Sequence, residues 1–176
     1  MDDEQRTFLR IPTKLHGRLR FVASDVEPQL FREAPIVSSS VTAMELKNAG
    51  LAEALVNALL NIDRKLDMLI GLHASANLED DFPHPFEIVE ISGAGIKGIS
   101  AEPFPAGQLA EVVITLTQLP VRMAAAIGRV LREEPTGDGR HAWALDFTRI
   151  RDRDLESIVQ FVFQTQRDEM RGKKWE

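Results

Sequence analysis

The chain has no cysteine among its 176 residues. That excludes a disulfide framework and any zinc site built on thiolates. Its four histidines, His16, His73, His84 and His141, fall on unrelated segments without the H-E-x-x-H spacing of a metal site. No G-x-S-x-G elbow and no Walker sequence is present, and no acid–base or nucleophile arrangement can be assembled from the remainder. The expectation is a protein that is not an enzyme and carries no metal or cofactor. Unbroken apolar runs are only a few residues long, too short to span a bilayer. The opening Met1-Asp2-Asp3-Glu4-Gln5-Arg6 is acidic and polar, the opposite of a secretion signal. A cytoplasmic location is expected.

A net charge of −6 speaks against binding of nucleic-acid polymers, which requires a basic surface. The charge is unevenly spread. Arg6, Arg10, Lys14, Arg18 and Arg20 outnumber Asp2, Asp3 and Glu4 at the head of the chain, and the body is correspondingly acidic. A basic segment on an acidic body suits a small anionic ligand, or an arm that pairs with that body.

Periodicity supplies the elements. Leu15, Gly17, Leu19 and Phe21 alternate with Lys14, His16, Arg18 and Arg20, predicting a strand over 13–22. Residues 23–41, with two prolines and three consecutive serines, read as a loop. A helix follows over 42–73. Its Leu55, Leu59, Ile62, Leu66 and Leu69 sit at alternating spacings of four and three, a heptad seam with Leu59 and Leu66 at a and Leu55, Ile62 and Leu69 at d. Gly50 marks a kink or a break between two helices. Apolar flanking positions (Val56, Ile70, Leu72) make the stripe wider than a two-stranded zipper requires. Such a stripe holds several copies together, a tetramer being one such assembly, or else packs on its own domain as most amphipathic helices do. The sustained heptad period favours assembly.

Residues 74–85 read as an acidic, proline-containing return loop. Strands then follow over 86–91 and 96–100 around the turn Ser92-Gly93-Ala94-Gly95, over 109–119 with its β-forming run, and over 123–133 and 141–147 around the hairpin Pro135–Gly139. A helix from 152 to 172 closes the chain, with Leu155, Ile158, Val159, Phe161, Val162 and Met170 as its buried face. Residues 173–176 read as a polar tail. Strands of this number and spacing point to a mainly β fold, an antiparallel barrel built from 1–22 and 86–150. The helical segment 42–73 is inserted into it, and the terminal helix would plug one end.

Two motifs remain. Arg6-Thr7-Phe8-Leu9-Arg10 places an R-x-x-x-R immediately before the first strand. Glu90-Ile91-Ser92-Gly93-Ala94-Gly95 places an acid, a serine and a glycine at offsets 0, 2 and 5 on a strand-to-turn corner. Together they resemble the signature of the PilZ domain family, bacterial receptors for cyclic di-GMP: R-x-x-x-R on an N-terminal arm plus [D/N]-x-S-x-x-G on a barrel strand. The resemblance takes in the arm and first strand, the region from Phe86 to Phe147 and the closing helix. It omits Ala23 to His84. An inserted heptad helix is similar to that of tetrameric, atypical PilZ proteins, some of which do not bind the nucleotide.

The resemblance implies that the arm folds over a cyclic di-GMP molecule resting on the barrel. Arg6 and Arg10 would be its guanine and phosphate contacts, since a planar guanidinium meets guanine O6 and N7 or two phosphate oxygens with paired hydrogen bonds. Ser92 would supply a hydroxyl, and Gly95 close backbone approach or a positive φ. Glu90 departs from the family's Asp or Asn by one methylene, which weakens or removes its contact to guanine. An effector acting on motility, pili or biofilm through an unidentified protein partner is the leading expectation. A barrel that has lost the nucleotide and serves as an oligomeric scaffold is the alternative.

Overall fold

A computed structural model of the chain describes residues 8–32, 42–118 and 120–172, apart from the side chains of residues 74 and 75. The elements run β1 (Ile11–Val22), α1 (Ala43–Asn48), α2 (Glu53–Asp81), β2 (His84–Ser92), β3 (Gly95–Ser100), β4 (Leu109–Gln118), β5 (Val121–Pro135), β6 (His141–Ile150) and α3 (Asp152–Gly172). The six strands close into one barrel in the order β1-β2-β3-β6-β5-β4, every pair antiparallel. Closure leaves no sheet edge to be satisfied by another chain.

The barrel interior is filled by alternate residues of each strand, among them Leu19, Ile88, Ile91, Ile96, Val112, Ile114, Val130, Trp143 and Leu145. Ile158 and Val162 of α3 join this core, so the terminal helix is the plug its pattern predicts. Met170 departs from that prediction. It is exposed, because the last turns of α3 run past the barrel wall. Asp154, in the helix's first turn, is buried and accepts the Ala125 amide at 3.1 Å. Ala125 lies one residue beyond the β5–β6 ladder, whose pairing begins at Ala126. A carboxylate thereby satisfies a buried backbone donor that the ladder leaves over.

A second apolar cluster lies outside the wall. Leu78 and Phe82, at the end of α2, pack with Val113, Val121, Met123 and Ala125, and Phe31 leans against them. The middle of β4 and β5 is therefore buried on both faces. This is the physical reason why those strands are apolar nearly throughout instead of alternating.

The same contact corrects the reading of 74–85 as a loop. The helix continues to Asp81, because Leu78 and Phe82 gain a surface to bury against. The acidic run ending it faces a cation: Arg18 donates from Nε to the Phe82 carbonyl at 2.7 Å and approaches Glu79 at 3.5 Å. A positive charge among the last carbonyls favours a helix C-terminus. At the other end the single helix expected from residue 42 is two. Thr42 and Glu45 form a capping box for α1, and Gly50 at φ +74° breaks the chain before α2. Glu45 is held below the ordinary carboxylate range by the Thr42 backbone and hydroxyl donors.

α2 is 29 residues long, about 43 Å at the rise of an α-helix. Its C-terminal part meets the barrel. Between residues 57 and 66 every position is exposed apart from half-buried Leu60. A helical stretch with solvent on all faces has no intramolecular packing to stabilise it.

Candidate ligand site at the arm and the Ser92–Gly95 corner

β2 and β3 form a hairpin around Gly93-Ala94, with Ser92 opposite Gly95, Ile91 opposite Ile96 and Glu90 opposite Lys97. Ser92 is buried. Its hydroxyl accepts the Ala94 amide at 3.2 Å and donates to the Gly95 carbonyl at 3.3 Å, closing the turn on itself. The Ala94 carbonyl accepts the Phe147 amide at 2.8 Å, which ties the corner to the end of β6.

Gly95 is required by proximity. A Cβ there would stand 2.3 Å from the Leu145 carbonyl oxygen, closer than any real contact allows. It is not among the positive-φ glycines, which are Gly50, Gly107 and Gly139. Of the two reasons expected for this glycine, close backbone approach is the one that applies.

The arm reaches this corner. The Phe8 ring, between the two arginines of the R-x-x-x-R, lies against Gly93, where an added Cβ would meet Phe8 Cδ1 at 2.4 Å. Arg10 Nη1 stands 3.5 Å from Glu90 Oε1, while Lys97 Nζ stands 3.0 Å from Glu90 Oε2. The structure thus brings Arg10, Glu90, Ser92 and Gly95 to one corner, as the two motifs imply. Arg6 lies outside the described residues, as do the residues of the polar tail.

Two register shifts flank the same place. The β1–β2 ladder slips between Pro12 and Leu15, and the β2–β3 ladder between Ile88 and Glu90. Bulges of this kind turn a side chain away from its regular direction and break the pairing locally.

Sequence reasoning missed Lys97. Counting outward from the two-residue turn was the available signal: a hairpin closed at Ser92 and Gly95 sets residue 90 opposite residue 97. Arg18 and Arg20 of the basic head are tied into the fold itself. Arg20 pairs with Glu27 at 3.1 Å and with the fully buried Glu111 at 2.8 Å. With Arg18 on Glu79, much of the positive head is neutralised by the acidic body, and Arg10 is its member at the corner.

Away from the corner, a groove of about 640 Å³ separates α2 from the outer faces of β1, β2 and β4, with Met68, Leu72, Arg18 and Val121 on its walls. The seam residues Leu55, Leu59, Ile62, Leu66 and Leu69 are 39 to 62% exposed in the single chain. No metal-binding cluster of His, Asp or Glu is found among the described residues. No helix among them is long and apolar enough to cross a membrane.

Fold and corner define a small closed-barrel domain whose N-terminal arm is docked on a strand turn. The sequence profile of the PilZ domain family matches residues 65–164, more than half of the chain, and the chain belongs to that family. The matched stretch contains Glu90, Ser92 and Gly95 and excludes the arm. No protein of curated function matches the chain by sequence.

Among solved structures, a Xanthomonas campestris protein described as a tetrameric PilZ domain self-assembled via a helical bundle is 17% identical with a TM-score of 0.53, the match covering 93% of this chain and 91% of that one. The Bacillus subtilis inhibitor of motility MotI/DgrA is 13% identical with a TM-score of 0.51, covering 94% of this chain and 53% of the other. This chain therefore spans about half the length of the Bacillus protein. The PilZ domain of YcgR from Escherichia coli, solved with c-di-GMP, gives a TM-score of 0.39 at 12% identity over 52% of this chain and 78% of that one. The first two likenesses establish the fold.

Proposed function

We propose that this chain is a cyclic di-GMP effector of the PilZ type, working in the cytoplasm by protein contact on motility, pili or biofilm. One observation carries the reading: the arm with Arg10 is docked on the Ser92–Gly95 corner, through Phe8 on Gly93 and Arg10 beside Glu90. Arg10 and the Glu90–Gly95 motif, some eighty positions apart in sequence, thereby share one surface. Arg6 and Arg10 are the guanine and phosphate contacts, and the corner supplies the floor on which the ligand rests.

The α2 stripe assembles several copies, with a tetramer as the expected number. Its exposed seam and the solvent around residues 57–66 support this, and the tetrameric Xanthomonas relative, described as assembled via a helical bundle, is consistent with it. A bundle would give those turns the packing that the single chain does not.

Calorimetry of cyclic di-GMP into the full chain tests the reading, followed by Arg6→Ala and Arg10→Ala. Each charged hydrogen bond contributes about 1.5–3 kcal/mol, so each variant should weaken binding by about tenfold or more. No detectable binding at concentrations on the order of 10 μM sinks it, given that micromolar affinity corresponds to about 8 kcal/mol.

The second reading, an oligomeric scaffold without nucleotide, is favoured by Glu90. Its carboxylate stands where the family has Asp or Asn and is engaged by Arg10 and Lys97. Under it, Glu90→Asp would create nucleotide binding in a protein that shows none.

A further inference from the structure

The two oxygens of the Glu90 carboxylate are approached by two cations from different elements. Arg10 Nη1 comes from the arm at 3.5 Å and Lys97 Nζ from β3 at 3.0 Å. A phosphate group presents the same arrangement, two anionic oxygens that a guanidinium and an ammonium can share. We propose that Glu90 occupies the seat of a ligand phosphate, so that a phosphate enters between Arg10 and Lys97 by displacing the carboxylate, and that Lys97 is a further ligand-binding residue. This deepens the receptor reading of the same corner and rests on it.

Three features separate this triad from an ordinary surface ion pair. Its balance of charge is positive, two cations to one carboxylate, so an anion bearing more charge than Glu90 is the better occupant. Its backbone is irregular: a bulge in each ladder flanking Glu90 re-aims the side chain, which a surface pair on regular strands does not need. Its groups are partly covered yet reachable, with side-chain exposures of 42% for Arg10, 28% for Glu90 and 37% for Lys97.

The rest of a dinucleotide seated here would extend over the strands beyond Lys97. The cross-strand row continues from Lys97 to Ala144 on β6 and from Ala144 to Arg132 on β5. Ala144 keeps the floor low. Arg132 is exposed.

Glu90 then explains its own departure from the family pattern. A shorter Asp or Asn at this position retracts from the cations, whereas Glu reaches them. The carboxylate sets a threshold, because a ligand must outcompete an anion already tethered at the site.

The experiment titrates two probes, inorganic pyrophosphate and cyclic di-GMP, into the full chain, Glu90→Gln, Lys97→Met and the double variant, with circular dichroism melts establishing that each is folded. Pyrophosphate decides the seat and the dinucleotide decides the receptor reading. Glu90→Gln should bind pyrophosphate about tenfold more tightly than the unmodified chain, the combined worth of two exposed ion pairs. Lys97→Met in the Glu90→Gln background should remove that gain. If Glu90→Gln binds pyrophosphate no more tightly, or the gain survives Lys97→Met, the proposal is overturned, even where cyclic di-GMP binds. If the gain and its reversal are seen while no variant takes up cyclic di-GMP, the phosphate seat stands and the receptor reading falls.

Discussion

Phe8 occupies the space above Gly93 that any other residue would fill with its own Cβ, which would lie 2.4 Å from Cδ1 and 2.7 Å from Cε1 of the ring. The glycine is thus the receptor for the Phe8 ring, and the ring is what holds the segment Phe8–Arg10 against the barrel. Gly93→Ala should push the ring away and loosen the arm while leaving the barrel intact. Phe8 is 36% exposed, and loss of its ring contact is worth about 1 kcal/mol, or about fivefold in the population of the undocked segment. Backbone order parameters at Leu9 and Arg10, measured by NMR relaxation, read the effect, and unchanged values would show that the ring does not anchor the arm.

Glu111 is the most demanding group in the fold. It is fully buried in the outward face of β4, where it accepts Arg20 Nε at 2.8 Å and the amides of Leu30 and Phe31 at 3.0 and 2.9 Å. It therefore ties the segment after β1 to the barrel wall. Glu111→Ala leaves two backbone donors and the Arg20 Nε without their acceptor, while Glu27 stays on Arg20 Nη1, at a cost of about 3–5 kcal/mol. Urea unfolding of the variant measures this, and a loss below about 1 kcal/mol would mean that water replaces the carboxylate freely.

The seam on α2 carries the assembly prediction. Sedimentation of the unmodified chain should give more than one copy per particle, and Leu59→Asp or Leu66→Asp should reduce it to one. A charge placed in an apolar seam is left unpaired and desolvated in the assembled state. A particle mass unaltered by both substitutions would assign the assembly, if any, to another surface.

The β5–β6 hairpin has a pH response of its own. Hydrogen bonds from the Thr136 hydroxyl and then from Arg140 lower the Asp138 pKa from 3.8 to about 2. The folded value is depressed, so the stabilisation is complete above the unfolded pKa and is lost as pH falls from 3.8 through about 2. The stability difference between the unmodified chain and Asp138→Asn should shrink across that interval. An NMR titration of the Asp138 carboxyl with its midpoint at the ordinary value would refute the assignment.

Elements whose signal is local were legible in the residues. β1 alternates because one face meets the core and the other is wet. The β5–β6 hairpin is announced by Pro135 to Gly139, and Gly139 does adopt φ +80°. The heptad seam is visible because its period is that of an exposed apolar stripe. The last turns of α2 were not legible, because Leu78 and Phe82 continue no heptad and gain their burial from Val113, Met123 and Ala125, residues of strands far along the chain.

The candidate site divides in the same way. Its residue types and spacing could be read in advance, including the Ser92 turn and the need for Gly95. Lys97 followed from hairpin register alone and was overlooked. The pairing of Arg18 and Arg20 with the acidic body could not be assigned, since Glu79, Glu27 and Glu111 become neighbours only on barrel closure.

The amino-acid order by itself determined the strands, most of the helical segments, where the hairpin turns fall and which side chains are available for anion binding. These follow from periodicity, turn chemistry and side-chain type, all short-range properties. Tertiary structure alone decided that Phe8 sits on Gly93, that Arg10 comes beside Glu90, and that the middle of α2 is left without a partner among the described residues. Each depends on distances set when six strands close into a ring. Closure couples residues separated by long stretches of chain, and no local pattern encodes that coupling.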